Sequence, residues 1–203
     1  MSTPGIAGAP AAFPTDEKLS EQELEQGRKF LRETQNAVEG ATKGLSEAQW
    51  NFKPAPDRWS IAENLDHVVV VQERVLGPVL NQIAAAPAPQ AGQDREAVDA
   101  IVIHQLPTRL ARFSAPEAVH PAGGSAPEEL LSRLRTNYAR LAECLESRLG
   151  LRQHACPAPP IKAITRGAIE VMDGYQWILA AAAHTERHAK QMLEVKADPC
   201  YPA

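Results

Sequence analysis

Apolar residues recur at steps of three and four through four long stretches of the chain. The first carries Leu24, Leu31, Thr34, Val38 and Ala41 and stops at Gly44. The second carries Ile61, Leu65, Val68, Val71, Val75 and Val79. The third carries Leu130, Leu134, Tyr138, Leu141 and Leu145 and stops at Gly150, and the fourth carries Trp177, Ala181, His184, His188, Gln191 and Val195. Such spacing puts each set on one face of a helix. Each stretch opens on a residue able to cap a helix, followed three positions later by an acid or amide: Ser20 and Glu23, Ser60 and Glu63, Ser125 and Glu128, Asp173 and Gln176. A pair of this kind satisfies two backbone donors that the first helical turn leaves open. The predicted helices run near 20–43, 60–85, 126–149 and 174–197, with Pro78 kinking the second or ending it early. Ser46 to Trp50 reads as one further short turn. Four amphipathic stripes need one shared core, so the expected fold is all-α, an antiparallel four-helix bundle. Its connecting loops are long. Residues 86–124 hold several prolines and a short apolar piece, Ala100 to Ile103, that suits helix or strand; residues 151–172 hold a second Pro-rich run. Residues 1–18 are small and Pro-rich and are expected to be disordered, which leaves 19–203 as one helical domain.

Composition narrows the partners. With 203 residues and 44% hydrophobic content the chain can bury a core without disulfides. A net charge of -4 gives no electrostatic footprint for nucleic acid or an anionic membrane. The longest apolar run, Trp177 to Ala183, falls far short of the ~20 residues that span a bilayer. Cys144, Cys156 and Cys200 are odd in number and form no C-x-x-C pair, so they read as reduced thiols in a cytoplasmic protein. Met1 to Pro14 lacks Lys and Arg and a long apolar core, and does not read as a signal peptide.

The candidate chemistry lies in the histidines. His184 and His188 stand four apart, one turn apart along the predicted last helix and on its apolar stripe, with Ala180 to Ala183 leaving room around them. Burying two imidazoles without partners is costly, so either neighbouring helices or a metal must satisfy them. The spacing suits two rings sharing one ion. It is not the zincin signature. Glu186 lies about 200° around the helix from His184 and points away. No Glu-x-x-His pair of the di-iron bundle type lies on the four predicted helices, and no Gly-rich phosphate loop or nucleophile elbow is present. His67 sits two turns into the second helix, just before Val68 to Val71, in a segment that reads as covered nearly all round. His104, His120 and His154 carry no such pattern.

Trp59-Ser60-Ile61-Ala62-Glu63-Asn64-Leu65-Asp66-His67 resembles the W-S-x-x-E-x-x-x-H segment of the DinB-like superfamily. His184-x-x-x-His188-x-x-Gln191, followed by Glu194-Val195-Lys196, resembles that superfamily's last helix, and Arg109 to Pro116 with Glu117 and Pro121 resembles the stretch before its third. The likeness runs from about Ser20 to Lys196. It implies a DinB-like four-helix bundle, a homodimer, and one divalent transition-metal ion held by His67, His184 and His188. Neutral nitrogen ligands suit Zn or Ni first, and also Fe, Co or Cu. Three ligands leave positions for water or substrate, so the leading expectation is a metal-dependent hydrolase acting on a small molecule. A thiol-dependent S-transferase or isomerase is the alternative, with Arg58, Arg74, Arg109 and Arg112 as candidate charge for an acidic thiol. A non-catalytic, metal-stabilised dimeric binding protein is the second. Gln191, Asn64 and Glu63 are the nearest candidates to hold the free ring nitrogens.

Overall fold

In the computed structural model the described residues are 18–108, 115–147 and 150–203. The expected disorder of 1–18 falls, but for Lys18, outside them. Helix α1 spans Glu21–Thr42 and a short α2 spans Glu47–Asn51. Helix α3, Ile61–Val71, runs through a π-helical segment, Gln72–Leu76, into α4, Gly77–Gln82. Helices α5 (Arg95–His104), α6 (Pro127–Ser147), α7 (Pro159–Ile164) and α8 (Gly174–Lys196) follow. The ambiguous piece Ala100 to Ile103 is therefore helix. Strands β1 (Ala155–Pro157) and β2 (Val171–Asp173) pair antiparallel, Cys156 opposite Met172, and add a small hairpin that periodicity did not predict.

Local chemistry explains most boundaries. Reciprocal capping boxes form at Ser20 with Glu23, Ser60 with Glu63 and Asp173 with Gln176, and a further one at Ser46 with Gln49 opens α2. Helix α6 starts one residue later than a cap at Ser125 implies. Leu130 N donates to the Ala126 carbonyl at 3.1 Å, and Pro127 takes the first helical position, where its missing N–H costs nothing. Pro78 acts through the turn before it. Gly77 N donates back to the Gln72 carbonyl, and this widened turn absorbs the residue that cannot donate to Arg74.

The four long helices form a bundle in which α8 packs on α1 and α3, and α6 packs on the same two. Tyr175 reaches the Glu23 carbonyl at 2.8 Å and Lys196 reaches the Ala41 carbonyl at 3.1 Å, so α1 and α8 run parallel. Arg28 meets Glu146 and Arg135 meets Glu39, so α1 and α6 run antiparallel. His188 meets Asn64 and Thr185 meets Gln72, so α3 and α8 are antiparallel too. The bundle thus differs from a uniformly antiparallel one: its neighbouring pairs are not all of one sense. Helices α3 and α6, both antiparallel to α1, therefore run parallel to each other, and the long connection between them, which holds α5, supplies the return.

The core is apolar around Leu65, Val68, Val69, Leu134 and Ile178, all with exposure at or near zero. One polar chain crosses it. Thr34 Oγ1 and Tyr138 OH lie 2.9 Å apart, Tyr138 bonds Thr185, and Thr185 accepts from Gln72 Nε2 at 3.2 Å. Burial pushes the Tyr138 phenol up to about 12. At the start of α8 a buried Arg152 donates to Glu23, Asp99 and Asp173 and lies 4.2 Å over the Tyr175 ring. Asp173 is also the α8 cap, so this cluster sets where the histidine-bearing helix begins.

Candidate metal centre

The second turn of α3 and the middle of α8 face each other, and they bring His67, His184 and His188 together. One potential ligand atom from each ring lies within 4.8 Å of the others. Ring centroids are 4.6–5.1 Å apart, and the Nε2 atoms of His67 and His184 are 3.2 Å apart. Two nitrogens bound tetrahedrally to one zinc at its usual bond length sit about 3.4 Å apart, so the spacing fits. His67 and His188 are buried, at 4% and 5% exposure, while His184 keeps part of its surface. The cluster therefore lies at the edge of the core.

Hydrogen bonds fix two of the rings. His67 Nδ1 faces the Val119 carbonyl at 2.7 Å and must donate to it. His188 Nδ1 faces Asn64 Oδ1 at 2.9 Å. The Asn64 orientation is set because its Nδ2 donates to the Ser60 carbonyl at 2.8 Å, so His188 Nδ1 also donates. Both rings then turn an Nε2 lone pair inward. His184 Nδ1 is buried and meets no hydrogen-bond partner among the described residues. The rings' hydrogen bonds leave that atom unpaired whether His184 Nε2 faces His67 or an ion. Burial pushes the His184 imidazolium down to about 3, with His67 and Arg187 beside it adding to the effect. Burial also lowers His67, against the pull of its Val119 bond. Burial thus favours the neutral form of His67 and His184, the form that binds metal.

Trp59 roofs the cluster. It stacks on His188 at 5.9 Å and 23° and tilts over His67 at 4.8 Å. Of the expected supporting residues, Asn64 is in place. Glu63 instead accepts from Lys53 and from the Ser60 amide, and Gln191 makes no hydrogen bond to the rings among the described residues. Val119 escaped sequence reasoning, because its contact spans 52 residues and uses a backbone atom. Glu186 pairs with Lys190 at 2.7 Å, as its helical angle requires. His104 is exposed, His154 holds the Ala86 carbonyl, and His120 bonds the Ala115 carbonyl and meets Trp59 edge-on. Arg58 pairs with Glu194 and Arg74 holds the Ala118 carbonyl; Arg109 and Arg112 lie outside the described residues. A cavity of about 690 Å³ is lined by residues that include Lys53, Ser60, Glu63, Asp66, Gly123 and Gly124, and not by the rings.

A four-helix bundle that gathers three imidazoles from its second long helix and its last defines a class. The chain belongs to the DinB superfamily, whose family description matches residues 30–192. It is similar to the uncharacterized protein YuaE of Bacillus subtilis (strain 168), with 28% identity over 167 residues, covering 76% of this chain and 87% of that one. Its fold is similar to that of YfiT from Bacillus subtilis, with a TM-score of 0.57 and 11% identity over 91% of each chain. YfiT is described as a probable metal-dependent hydrolase with an unusual four-helix bundle topology. No helix among the described residues is long and apolar enough to cross a membrane.

Proposed function

We propose that the chain is a metal-dependent hydrolase in which His67, His184 and His188 hold one divalent transition-metal ion. The observation that carries this reading is the convergence of three imidazoles, with no carboxylate in the group. Such a set leaves at least one coordination position for water or substrate, the mark of a catalytic rather than a closed site. An ion held there supplies Lewis acidity, polarising a carbonyl and making water acidic near neutral pH. The protein's own residues do the rest. Val119 and Asn64 hold the protons at Nδ1 of His67 and His188. Trp59 covers two rings and excludes water from that side. The partly exposed His184 leaves an approach from outside. Zn or Ni suits three neutral nitrogens first, with Fe, Co or Cu also compatible.

The test is metal analysis of tag-free protein after loading with Zn or Ni, followed by an ester and amide hydrolysis screen with a thiol-transfer arm. One ion per chain, lost in His184→Ala and retained in His104→Ala, is expected together with metal-dependent hydrolysis. Substoichiometric metal that loading does not raise would remove the site. Thiol transfer without hydrolysis would reassign the chemistry.

A further inference from the structure

Asp66 precedes the first histidine of the cluster but faces a different segment. Its carboxylate is buried, at 4% exposure, and one oxygen accepts two backbone amides: Ala122 N at 2.8 Å and Gly123 N at 3.0 Å. Just before those amides, the Val119 carbonyl takes the proton of His67 Nδ1 and the Ala118 carbonyl takes Arg74 at 2.9 Å. Residues 118–123 therefore form a strap fastened at one end to α3 and at the other to the π-helical segment that continues it, with the acceptor for His67 between the fastenings. Val119 ends a single 3-10 turn, Glu117–Val119. No longer helix or sheet fixes its carbonyl, so the two anchors do.

We propose that Asp66 is a positioning residue of the metal centre. By holding Ala122 and Gly123 it keeps the Val119 carbonyl over His67, and that carbonyl keeps the His67 proton on Nδ1 and its Nε2 lone pair turned toward His184 and His188. The proposal rests on the reading of the three rings as metal ligands. The role needs an acceptor oxygen and no charge. Asp66→Asn therefore preserves it, whereas Asp66→Ala leaves two amides unpaired and the strap free to shift. A metal-bound imidazole that loses its outer hydrogen bond typically loses about ten- to hundredfold in metal affinity.

The experiment uses the full chain in two states. In the metal-free, ¹⁵N-labelled protein, long-range proton–nitrogen correlation reads the His67 tautomer. Wild type and Asp66→Asn are expected as the Nδ1–H form, and Asp66→Ala as a mixture with Nε2–H. In the second state, chelator competition reads Zn affinity, expected about ten- to hundredfold weaker in Asp66→Ala and close to wild type in Asp66→Asn. An Asp66 that merely staples a loop would lower the Tm of the Ala variant and leave tautomer and affinity unchanged, which overturns the proposal. Should Asp66→Ala not fold, Arg74→Met loosens the other anchor and is read in the same way; an unaltered tautomer and affinity there overturn the proposal equally. A wild-type chain that binds no Zn overturns the metal reading itself. That failure is distinct from the case in which wild type binds Zn and His67 ignores Asp66.

Discussion

Replacing Arg152 by Met should cost about 3–5 kcal/mol of stability at pH 7, the usual penalty for removing one partner from a buried ion cluster. The guanidinium donates to Glu23 at 2.7 and 2.9 Å, to Asp99 at 2.5 and 2.9 Å, and to Asp173 at 3.0 Å. Met fills similar volume, so little of the loss is cavity. What remains is three carboxylates facing one another, with side-chain exposure of only 11% at Asp99 and 2% at Asp173. The control is Lys162, which meets Glu170 at 2.6 Å with both side chains more than half exposed. Distance alone would rank that pair with the Arg152 contacts, but solvent screening should hold the Lys162→Met effect to about 0.5 kcal/mol. The pH dependence gives a second handle. Burial already pushes the Asp173 carboxyl up against the pull of Arg152, so without that guanidinium it holds its proton still more tightly in the native state than in the unfolded chain. A group whose folded pKa is raised regains its stability as the solution is acidified, so the variant's deficit should shrink between pH 7 and pH 5. Urea denaturation at both pH values, with chelator present so that metal linkage does not enter, measures it. A loss below about 1 kcal/mol, or an equal loss at both pH values, would refute the reasoning that burial rather than contact distance sets the energy.

Two shorter predictions concern the histidines. In metal-free protein, stability should fall as pH drops from 7.5 to 5.5: burial, helped by His67 and Arg187, holds His184 near 3 while the unfolded ring titrates near its ordinary value. A depressed folded pKa stabilises above the unfolded pKa and is lost on acidification, here by about 1.4 kcal/mol at pH 5.5 for His184 alone. Chelated urea melts that show stability unchanged or rising over that window would contradict a neutral buried ring. Asn64→Ala should weaken Zn binding about ten- to hundredfold, since it frees His188 Nδ1. Chelator competition is the assay, and wild-type affinity would show that Asn64 does not orient the ring.

Much of this protein is legible in its sequence because the signals are local. Caps at Ser20, Ser60 and Asp173 act over three residues. Apolar steps of three and four reveal each stripe, and the four-residue spacing of His184 and His188 already puts two imidazoles on one face. Residue type also announces the buried surroundings of His67, since Val68 to Val70 follow it and are all buried. Other features depend on where distant segments meet. The sense of neighbouring helices follows from return connections whose paths composition does not encode. The hairpin of β1 and β2 pairs residues 14 to 18 apart through backbone atoms. Val119 supports His67 with a carbonyl, and Asp66 secures that carbonyl from a position where its side chain could equally have faced solvent. Backbone acceptors have no side-chain signature, and a hydrogen bond forms only when two groups arrive within about 3 Å in the right orientation. Sequence alone determined which helices form and which faces they bury, and tertiary packing alone decided which protons those faces hold.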